Sequence, residues 1–351
     1  MLNSTCRMLS AGAKFITTGK DLTVRPCCLY NQEQKVNTKQ DVIQWRRHVH
    51  SIDSFKQPLC DDCNYLERSQ VKISRRQISF RFIPDTAEVG DPAWLEIQTD
   101  MTCNGGCVIC GPEFSSFWAQ ELGQASSISN RPDYIAQISE LVNLQKAVHI
   151  VILGGEPMLS DAEERLLRHI DDPSKVTLQI TTNGSVCPGQ QRFQLWEKFK
   201  SIILNFSIDG VGQRFEYLRY PLQWHKVEQN MRRVDVEAPS NVRCKVNHTL
   251  SSLNIYYFDE FDQWYSESFG ADLHNRGWNL TVSPANGVLS PQMTTAKLAA
   301  KISEKYTGRS LTQAIERHTD HNEPLHQFLH RLDQRRGLDW RMVFPEIAED
   351  L

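Results

Sequence analysis

This sequence lacks a hydrophobic run long enough to span a bilayer. Its longest apolar segments, such as AVHIVIL at 147–153, are far shorter than the roughly 20 residues that a transmembrane helix needs. The first residues, MLNSTCRMLSAGAKF, contain no apolar h-region, so we expect no secretory signal. The net charge is only −3, so the protein as a whole has no strong attraction for nucleic acid or anionic lipid. We therefore expect a soluble, cytoplasmic protein with no membrane partner.

Internal repeats and low-complexity segments are also absent, whereas cysteine is abundant, with ten residues. Disulfides are disfavoured in a reducing cytosol, so clustered thiols there more often bind metal or take part in catalysis. Eight of the ten lie in the first third of the chain, in one set at 6–63 and another at 103–110. The other two, Cys187 and Cys244, are isolated, and we expect them to be buried apolar side chains.

From about residue 91 the sequence alternates between short β-rich runs and helical patterns. Six segments are predicted to be strands and five of them are followed by helices, which is typical of parallel βαβ units in an α/β protein. Such units form either a partial barrel or an open, doubly wound sheet. The predicted strands lie at 93–99, 148–155, 175–185, 201–210, 241–251 and 277–284.

The regions on either side of this core differ from it in character. Residues 1–90 contain a hairpin pattern at KFITTGKDLTVRPCC, a polar stretch, and a C-x2-C motif at the head of a basic helix. Residues 286–351 are mostly helical in pattern. The sequence thus predicts a small cysteine-rich region at 1–90, a core at 91–285 and a helical C-terminal region at 286–351.

Polar or glycine-containing motifs follow four of the predicted strands. They are the cysteine loop at 103–110, GGEP at 154–157, TNG at 182–184 and SIDG at 207–210. In both candidate architectures, the loops at the carboxyl ends of parallel strands form the active site. Four such strand ends therefore predict one site at a single edge of the sheet.

The cysteine loop has the spacing C-x3-C-x2-C, formed by Cys103, Cys107 and Cys110. Three thiols on a polar, glycine-containing loop are not expected to be ordinary core residues. A structural zinc site needs four ligands, and here it would require a remote one. An iron–sulfur cluster held by three thiolates would instead leave one iron open to a small molecule.

These motifs, in this order, resemble those of the radical S-adenosylmethionine superfamily. The resemblance covers the cysteine loop after the first strand and the GGEP, TNG and SIDG motifs after the next three. It implies a partial (βα)6 TIM-like barrel and catalytic Cys103, Cys107 and Cys110 holding a [4Fe-4S] cluster, with S-adenosylmethionine on the open iron. It also implies reductive cleavage of S-adenosylmethionine to a 5′-deoxyadenosyl radical, which abstracts hydrogen from a substrate.

The resemblance further implies that the GGEP motif binds S-adenosylmethionine. Gly154 and Gly155 would let the backbone approach its amino group, and Glu156, followed by Pro157, would accept a charge-assisted hydrogen bond from that ammonium. One departure concerns adenine. Many superfamily members carry an aromatic residue just before the last cysteine, where this chain has the aliphatic Ile109.

Asn183, Ser207 and Asp209 belong to the two remaining motifs. They are candidates to reach the carboxylate or the ribose hydroxyls of S-adenosylmethionine. Residues of these types are also common in turns and at helix caps, and that interpretation stays open at this point.

The earlier cysteine set resembles the auxiliary-cluster module of the SPASM/twitch branch of the superfamily, placed N-terminally here. We predict a second, auxiliary iron–sulfur cluster on four of its five cysteines, with Cys28 as a spare or substitute ligand. A zinc knuckle with four cysteine ligands is the alternative, because C-x2-C suits both metals. The five cysteines are Cys6, Cys27, Cys28, Cys60 and Cys63.

The leading hypothesis is therefore an oxidoreductase that uses S-adenosylmethionine and a reductant such as flavodoxin or ferredoxin. Its substrate is not specified by the sequence, and membership of the branch suggests a peptide. The alternative is a non-catalytic, metal-stabilised protein that binds nucleic acid or protein. The basic segment RSQVKISRRQISFR at 68–81 is its main support, although short charge runs more often form a solvated helix face.

Overall fold

The computed structural model describes residues 6–18, 21–30, 32–52, 56–61, 63–64, 67, 74–84, 91–98, 101–124, 134–270, 277–308, 310–316, 318 and 322–351. Within these ranges nine strands form one sheet. The strands are β1 (Gly12–Thr18), β2 (Asp21–Arg25), β3 (Gln34–Lys35), β4 (Trp94–Gln98), β5 (His149–Leu153), β6 (Thr177–Thr182), β7 (Ser201–Ser207), β8 (Val242–Leu250) and β9 (Asn279–Pro284). Their order across the sheet is β3-β2-β1-β4-β5-β6-β7-β8-β9.

Strands β4 to β9 are all parallel and lie side by side in sequence order. Right-handed crossovers in such a singly wound sheet place the connecting helices on one face and leave the other face as the inner wall. Among the described strands, β9 pairs with β8 alone, so the wall is open. The predicted α/β partial barrel is confirmed, and each of the six strands lies within its predicted segment.

The predicted N-terminal hairpin is also confirmed, since β1 and β2 pair antiparallel from Lys14 and Arg25 to Thr18 and Asp21. The structure adds a feature that the sequence did not indicate: β1 also pairs parallel with β4, with Gly12 opposite Trp94. The strands of the cysteine-rich region therefore extend the barrel wall. The division into three regions remains a prediction about sequence character.

Helices account for much of the remaining described chain. They are α1 (Arg7–Ala11), α2 (Lys39–His50), α3 (Arg75–Phe82), α4 (Ser116–Glu121), α5 (Tyr134–Leu141), α6 (Ala162–Leu167), α7 (Gln190–Trp196), α8 (Gly212–Leu218), α9 (Trp224–Glu237), α10 (Phe258–Phe269), α11 (Ala296–Lys305), α12 (Glu323–Arg336) and α13 (Trp340–Val343). None of the helices in the described ranges is both long and apolar enough to cross a membrane.

Sequence and structure agree on where several helices begin and end. Pro221, which cannot continue a helix, lies between the end of α8 and the start of α9. A capping box at the start of α3, formed by Ser74 and Gln77, starts the second half of the predicted basic helix. Its first half, at 68–73, lies outside the described residues, as do positions 131–133 of the helix predicted before β5.

The C-terminal region is anchored to the barrel by one buried carboxylate. Asp333 of α12 accepts hydrogen bonds from the Tyr217 hydroxyl of α8, at 2.8 Å, and from the Trp340 backbone N–H, at 2.8 Å. Unpaired buried carboxylates are costly, so the Tyr217 bond fixes α12 against α8 and the Trp340 bond fixes α13 against α12. The end of α12 consequently lies beside the cysteine loop.

Candidate active site

The cysteine loop follows β4 and is held by backbone hydrogen bonds to a distant segment. Gly106 N–H donates to the Tyr220 carbonyl at 2.6 Å, and Val108 N–H donates to the Leu218 carbonyl at 2.8 Å. The Trp118 indole N–H of α4 donates to the Cys107 carbonyl at 2.9 Å. The conformation of the loop is thus fixed by contacts with the rest of the protein.

The three thiols of this loop lie near one another. A Cβ atom placed on Gly105 would be 3.5 Å from Cys107 Sγ and 3.8 Å from Cys103 Sγ, so this glycine keeps the space between two thiols clear. Burial is the main cause that raises the pKa of Cys103 to about 11 and that of Cys110 to about 12, and the neighbouring thiols act in the same direction. Metal cations would stabilise the thiolate forms that burial disfavours.

The thiol arrangement bears on the choice between zinc and a cluster. Across the described residues, no three His, Cys, Asp or Glu side chains are gathered closely enough to hold a single metal ion. Zinc bound at about 2.3 Å to each sulfur requires such close ligands. In a four-iron cluster each thiolate binds a different iron, so the sulfurs lie further apart. A four-iron cluster therefore does not require its thiolates to be gathered around one point.

Glu156 of the GGEP motif joins three strand ends. Its backbone N–H donates to the Thr102 carbonyl of the cysteine loop at 2.7 Å. Its carboxylate, only 1% exposed, accepts hydrogen bonds from Thr182 Oγ1 at 2.6 Å, Asn183 N–H at 2.6 Å and Met158 N–H at 3.0 Å. The side chain thus has a structural role in this chain, and its bond to S-adenosylmethionine remains a prediction.

The structure explains why glycine is needed at each of the two positions before Glu156. Gly154 has a φ of 150°, which side chains rarely adopt. A Cβ atom on Gly155 would lie 2.2 Å from the Thr102 carbonyl oxygen, well inside van der Waals contact. The GGEP turn and the cysteine loop can therefore pack this closely only because residue 155 has no side chain.

Replacing Gly155 with serine should lower the free energy of unfolding by about 1–3 kcal/mol, because the new Cβ forces two loop backbones apart. Urea unfolding followed by circular dichroism measures the change. Gly189→Ser is the matched control: a Cβ at residue 189 would meet no atom within 4 Å, and serine is favoured at this helix N-cap. Equal stability of the two variants would contradict the close contact.

Asn183 connects the TNG motif to the cysteine loop. Its side-chain amide donates to Asn104 Oδ1 at 3.0 Å, and its Oδ1 accepts from the Ser185 backbone N–H at 2.9 Å. The second bond forms an Asx-type turn, so Asn183 does serve as a turn residue here. Ser207 is half-buried at the last position of β7. Their contacts with S-adenosylmethionine remain predictions.

Asp209 of the SIDG motif forms a buried ion pair with Arg219, whose Nη2 lies 2.6 Å from Asp209 Oδ2. Its other oxygen accepts from the Thr249 backbone N–H at 2.8 Å. The same guanidinium reaches Cys107, with Nη1 at 3.7 Å from the Sγ atom. A positive charge therefore lies directly against the most buried thiol of the loop, and the SIDG aspartate holds it there.

Sequence reasoning missed Arg219, and it also missed Arg336 at the end of α12. Arg336 forms a two-point ion pair with Glu121 at 3.0 Å for both N–O distances, and its guanidinium lies over the Trp118 and Tyr220 rings at 4.6 and 4.8 Å. A Cβ on Gly106 would be 2.8 Å from it. Ile109 is half-buried and packs against the core.

The N-terminal cysteines also come together, at the other end of the sheet. Burial raises the pKa of Cys27 to about 12, with Cys28 and Cys6 as charged neighbours, and that of Cys60 to about 12, with Cys6 and Cys63 as neighbours. Cys28 is exposed, unlike the other four. Cys27 follows Pro26, whose carbonyl lies close to Gly12, and Gly12 is the register partner of Trp94 at the start of β4, whereas the cysteine loop follows the end of that strand.

The basic segment of the alternative hypothesis is partly used inside the protein. Arg75 forms an ion pair with Glu96 of β4, and Arg76 forms one with Glu67 at 2.7 Å. Arg76 is buried. These two charges are therefore not available to phosphate groups, and the described part of the segment gives the nucleic-acid hypothesis little support.

No family model and no curated protein matches this sequence. Among solved structures, the chain is similar to hexahistidine-tagged anSMEcpe with bound AdoMet, at 17% identity and a TM-score of 0.42, over 57% of this chain and 53% of that chain. It is also similar to Streptococcus suis SuiB bound to precursor peptide SuiA, at 13% identity and a TM-score of 0.39, over 96% and 74% of the two chains.

The chain thus spans about half the length of anSMEcpe. At these TM-scores neither likeness assigns an activity, a ligand or a substrate to this chain. The resemblance to the radical S-adenosylmethionine superfamily rests instead on the chain's own residues: four motifs in order, each at the carboxyl end of its strand, and bonded to one another at a single edge of the barrel.

Proposed function

We propose that this chain is a radical S-adenosylmethionine enzyme. The observation that carries the proposal is the contact between the motifs. The cysteine loop bonds to the GGEP turn through Thr102 and Glu156, to the TNG turn through Asn104 and Asn183, and approaches the SIDG aspartate through Arg219. Three thiols without a nearby fourth, next to polar groups from three other strand ends, suit a cluster with one iron open to a small molecule.

In this proposal Cys103, Cys107 and Cys110 hold the [4Fe-4S] cluster. When bound, the cluster supplies the electron that splits S-adenosylmethionine and gives the 5′-deoxyadenosyl radical for hydrogen abstraction. The chain's own residues position the reactants. Gly154 and Gly155 are proposed to let the backbone approach the amino group of S-adenosylmethionine, and the Arg219 guanidinium offsets negative charge beside Cys107.

The N-terminal set is proposed to hold the auxiliary cluster. Support comes from the mutual proximity of the cysteines and from their full or partial burial. Cys28 is the exposed member and serves as the spare ligand. A peptide substrate and a flavodoxin- or ferredoxin-type reductant remain proposals based on the resemblance. The four proposed ligands are Cys6, Cys27, Cys60 and Cys63.

Two measurements on one anoxically reconstituted sample test both parts of this proposal. With S-adenosylmethionine and dithionite, the protein should form 5′-deoxyadenosine. Iron and labile sulfide should approach about eight atoms each per chain, because two four-iron clusters are expected. No 5′-deoxyadenosine from a sample containing iron would favour the binding-protein hypothesis. About four irons plus one zinc would replace the auxiliary cluster with a zinc knuckle and leave the enzyme assignment standing.

A further inference from the structure

The inner wall of the barrel carries many polar side chains, together with apolar ones such as Val151 and Ile203. Along β8, Val242, Cys244 and Val246 are buried on the helix-covered side, whereas the alternating residues Lys245 and Asn247 are more open. The strand register places Lys245 and Asn247 in rows with alternating residues of the neighbouring strands. We call this surface the inner face. Its members on β6 to β8 include Gln179, Thr181, Asn205, Ser207, Lys245 and Asn247.

Lys245 is the unusual member of the inner face. It is half-buried, and it makes no hydrogen bond or ion pair with any residue that the structure describes. Burial lowers the pKa of its ammonium group. A partly desolvated cation without a counter-charge is unfavourable. The simplest explanation for a lysine at this position is that it binds an anionic group of a ligand.

Within the described part of the chain, the carboxylate of Glu96 on the same face does not supply that counter-charge. Glu96 of β4 lies on the inner face, since the register relates it through Val151, Gln179 and Ile203 to Arg243, two residues before Lys245 on β8. It is already paired, with Arg75 and with Lys14 at 3.8 Å. Two cations thus share one buried carboxylate, and among the described residues Lys245 adds a further positive charge to the inner face.

Asn205 provides a second, independent observation beside Lys245. The two residues are register partners on β7 and β8. Asn205 is only 3% exposed, and its Oδ1 atom has no hydrogen-bond partner among the described residues. Its amide nitrogen lies 3.5 Å from Thr181 Oγ1, a long contact. A buried acceptor without a donor, next to a cation without an anion, matches a ligand that carries an N–H group close to a carboxylate.

We infer that the inner face binds the substrate through a carboxylate on Lys245, with an adjacent N–H group of the substrate donating to Asn205. The inference rests on the proposed function, because it assumes that a substrate enters the barrel. Lys245 lies two residues before Asn247, the partner of Ser207, and thus about 7 Å deeper than the strand end. That depth separates it from the residues proposed to hold S-adenosylmethionine.

The test is an NMR titration of the full-length protein after reductive methylation of its lysines with ¹³C-formaldehyde. The signal of Lys245 is assigned as the one that is missing from the spectrum of the Lys245→Arg variant. Three probes are compared: N-acetylglutamate amide, with a side-chain carboxylate; N-acetylalanine, with a terminal carboxylate; and the neutral isostere N-acetylglutamine amide. We expect a saturable shift of the Lys245 signal with a carboxylate probe and none with the isostere. Whichever carboxylate binds more tightly identifies its source in the substrate.

Substitutions of lysine then test the inference through their effect on the affinity for the carboxylate probe. Lys245→Met should weaken the affinity for the carboxylate probe at least about tenfold in saturation-transfer experiments, or about 1.4 kcal/mol. Lys226→Met is the matched control, because Lys226 is exposed on α9, and it should bind as the wild type does. Arginine at position 245 keeps the cation, so Lys245→Arg should retain most of the affinity.

Three results would overturn the inference: no movement of the Lys245 signal with any probe, equal movement with the neutral isostere, or movement with S-adenosylhomocysteine alone. The last would assign Lys245 to the cofactor. Formation of 5′-deoxyadenosine is measured separately on unmethylated protein. Carboxylate binding without 5′-deoxyadenosine would defeat the proposed function alone, and the opposite pattern would defeat this inference alone.

Discussion

Replacing Cys107 with alanine should abolish the formation of 5′-deoxyadenosine from S-adenosylmethionine and dithionite. Cys107 is the buried member of the three thiols, and it is the one in contact with Arg219. Two remaining thiolates cannot hold a four-iron cluster with a single open iron. Iron should fall by about four atoms per chain, while the iron held by the N-terminal cysteines stays.

Two features make this result interpretable. Cys187→Ala, a half-buried cysteine outside both sets, controls for the loss of a thiol and should retain iron and cleavage. Circular dichroism of Cys107→Ala should resemble that of the wild type, because the loop is held by backbone hydrogen bonds that the substitution leaves in place. Cleavage of S-adenosylmethionine by a folded Cys107→Ala protein would show that the cluster is held elsewhere.

The barrel could be predicted from the sequence because its signals are local. A buried parallel strand is a short apolar run that ends at a turn, as in VHIVILGG, and such runs mark β5 and its neighbours without knowledge of the rest of the chain. The pairing of β1 with β4 was not predictable in this way. It joins residues about 80 positions apart, and neither strand carries a local signal that names its partner.

The candidate site shows the same division. Its motifs were found because each is a compact pattern at a strand end. Arg219 and Arg336 were missed because their positions depend on tertiary packing: one lies just after α8, the other ends α12, and both reach the cysteine loop from far along the chain. Each is one of several charged residues in or beside a largely polar helix, and many solvated side chains share that pattern.

Glu156 illustrates a different difficulty. Its residue type and place in GGEP suggested a ligand for an ammonium group, and the structure shows a carboxylate that accepts hydrogen bonds from three protein donors. A carboxylate has about four lone-pair directions, so one further donor can be accommodated. The motif therefore holds the strand ends together and can also contact S-adenosylmethionine. The sequence alone cannot separate these two roles.

Replacing Arg219 with methionine should destabilise the protein by about 3–5 kcal/mol, because it leaves the Asp209 carboxylate buried without its counter-charge. Asp209 and Arg219 are both buried, so their ion pair contributes differently to stability from an ion pair on the surface. Arg233→Met is the matched control, since Arg233 pairs with Glu237 on an exposed helix face, and its loss should change the stability far less. Urea unfolding followed by tryptophan fluorescence measures both changes.

The double variant Asp209→Asn/Arg219→Met identifies the physical cause. Asparagine removes the unpaired charge, and its side-chain oxygen can still accept from the Thr249 N–H that now bonds to Asp209. The double variant should therefore be more stable than Arg219→Met alone, by about 1 kcal/mol or more. If it is equally unstable, the cost comes from lost packing of the arginine side chain. Arg219 would then hold the cysteine loop by shape, and the charge beside Cys107 would be incidental.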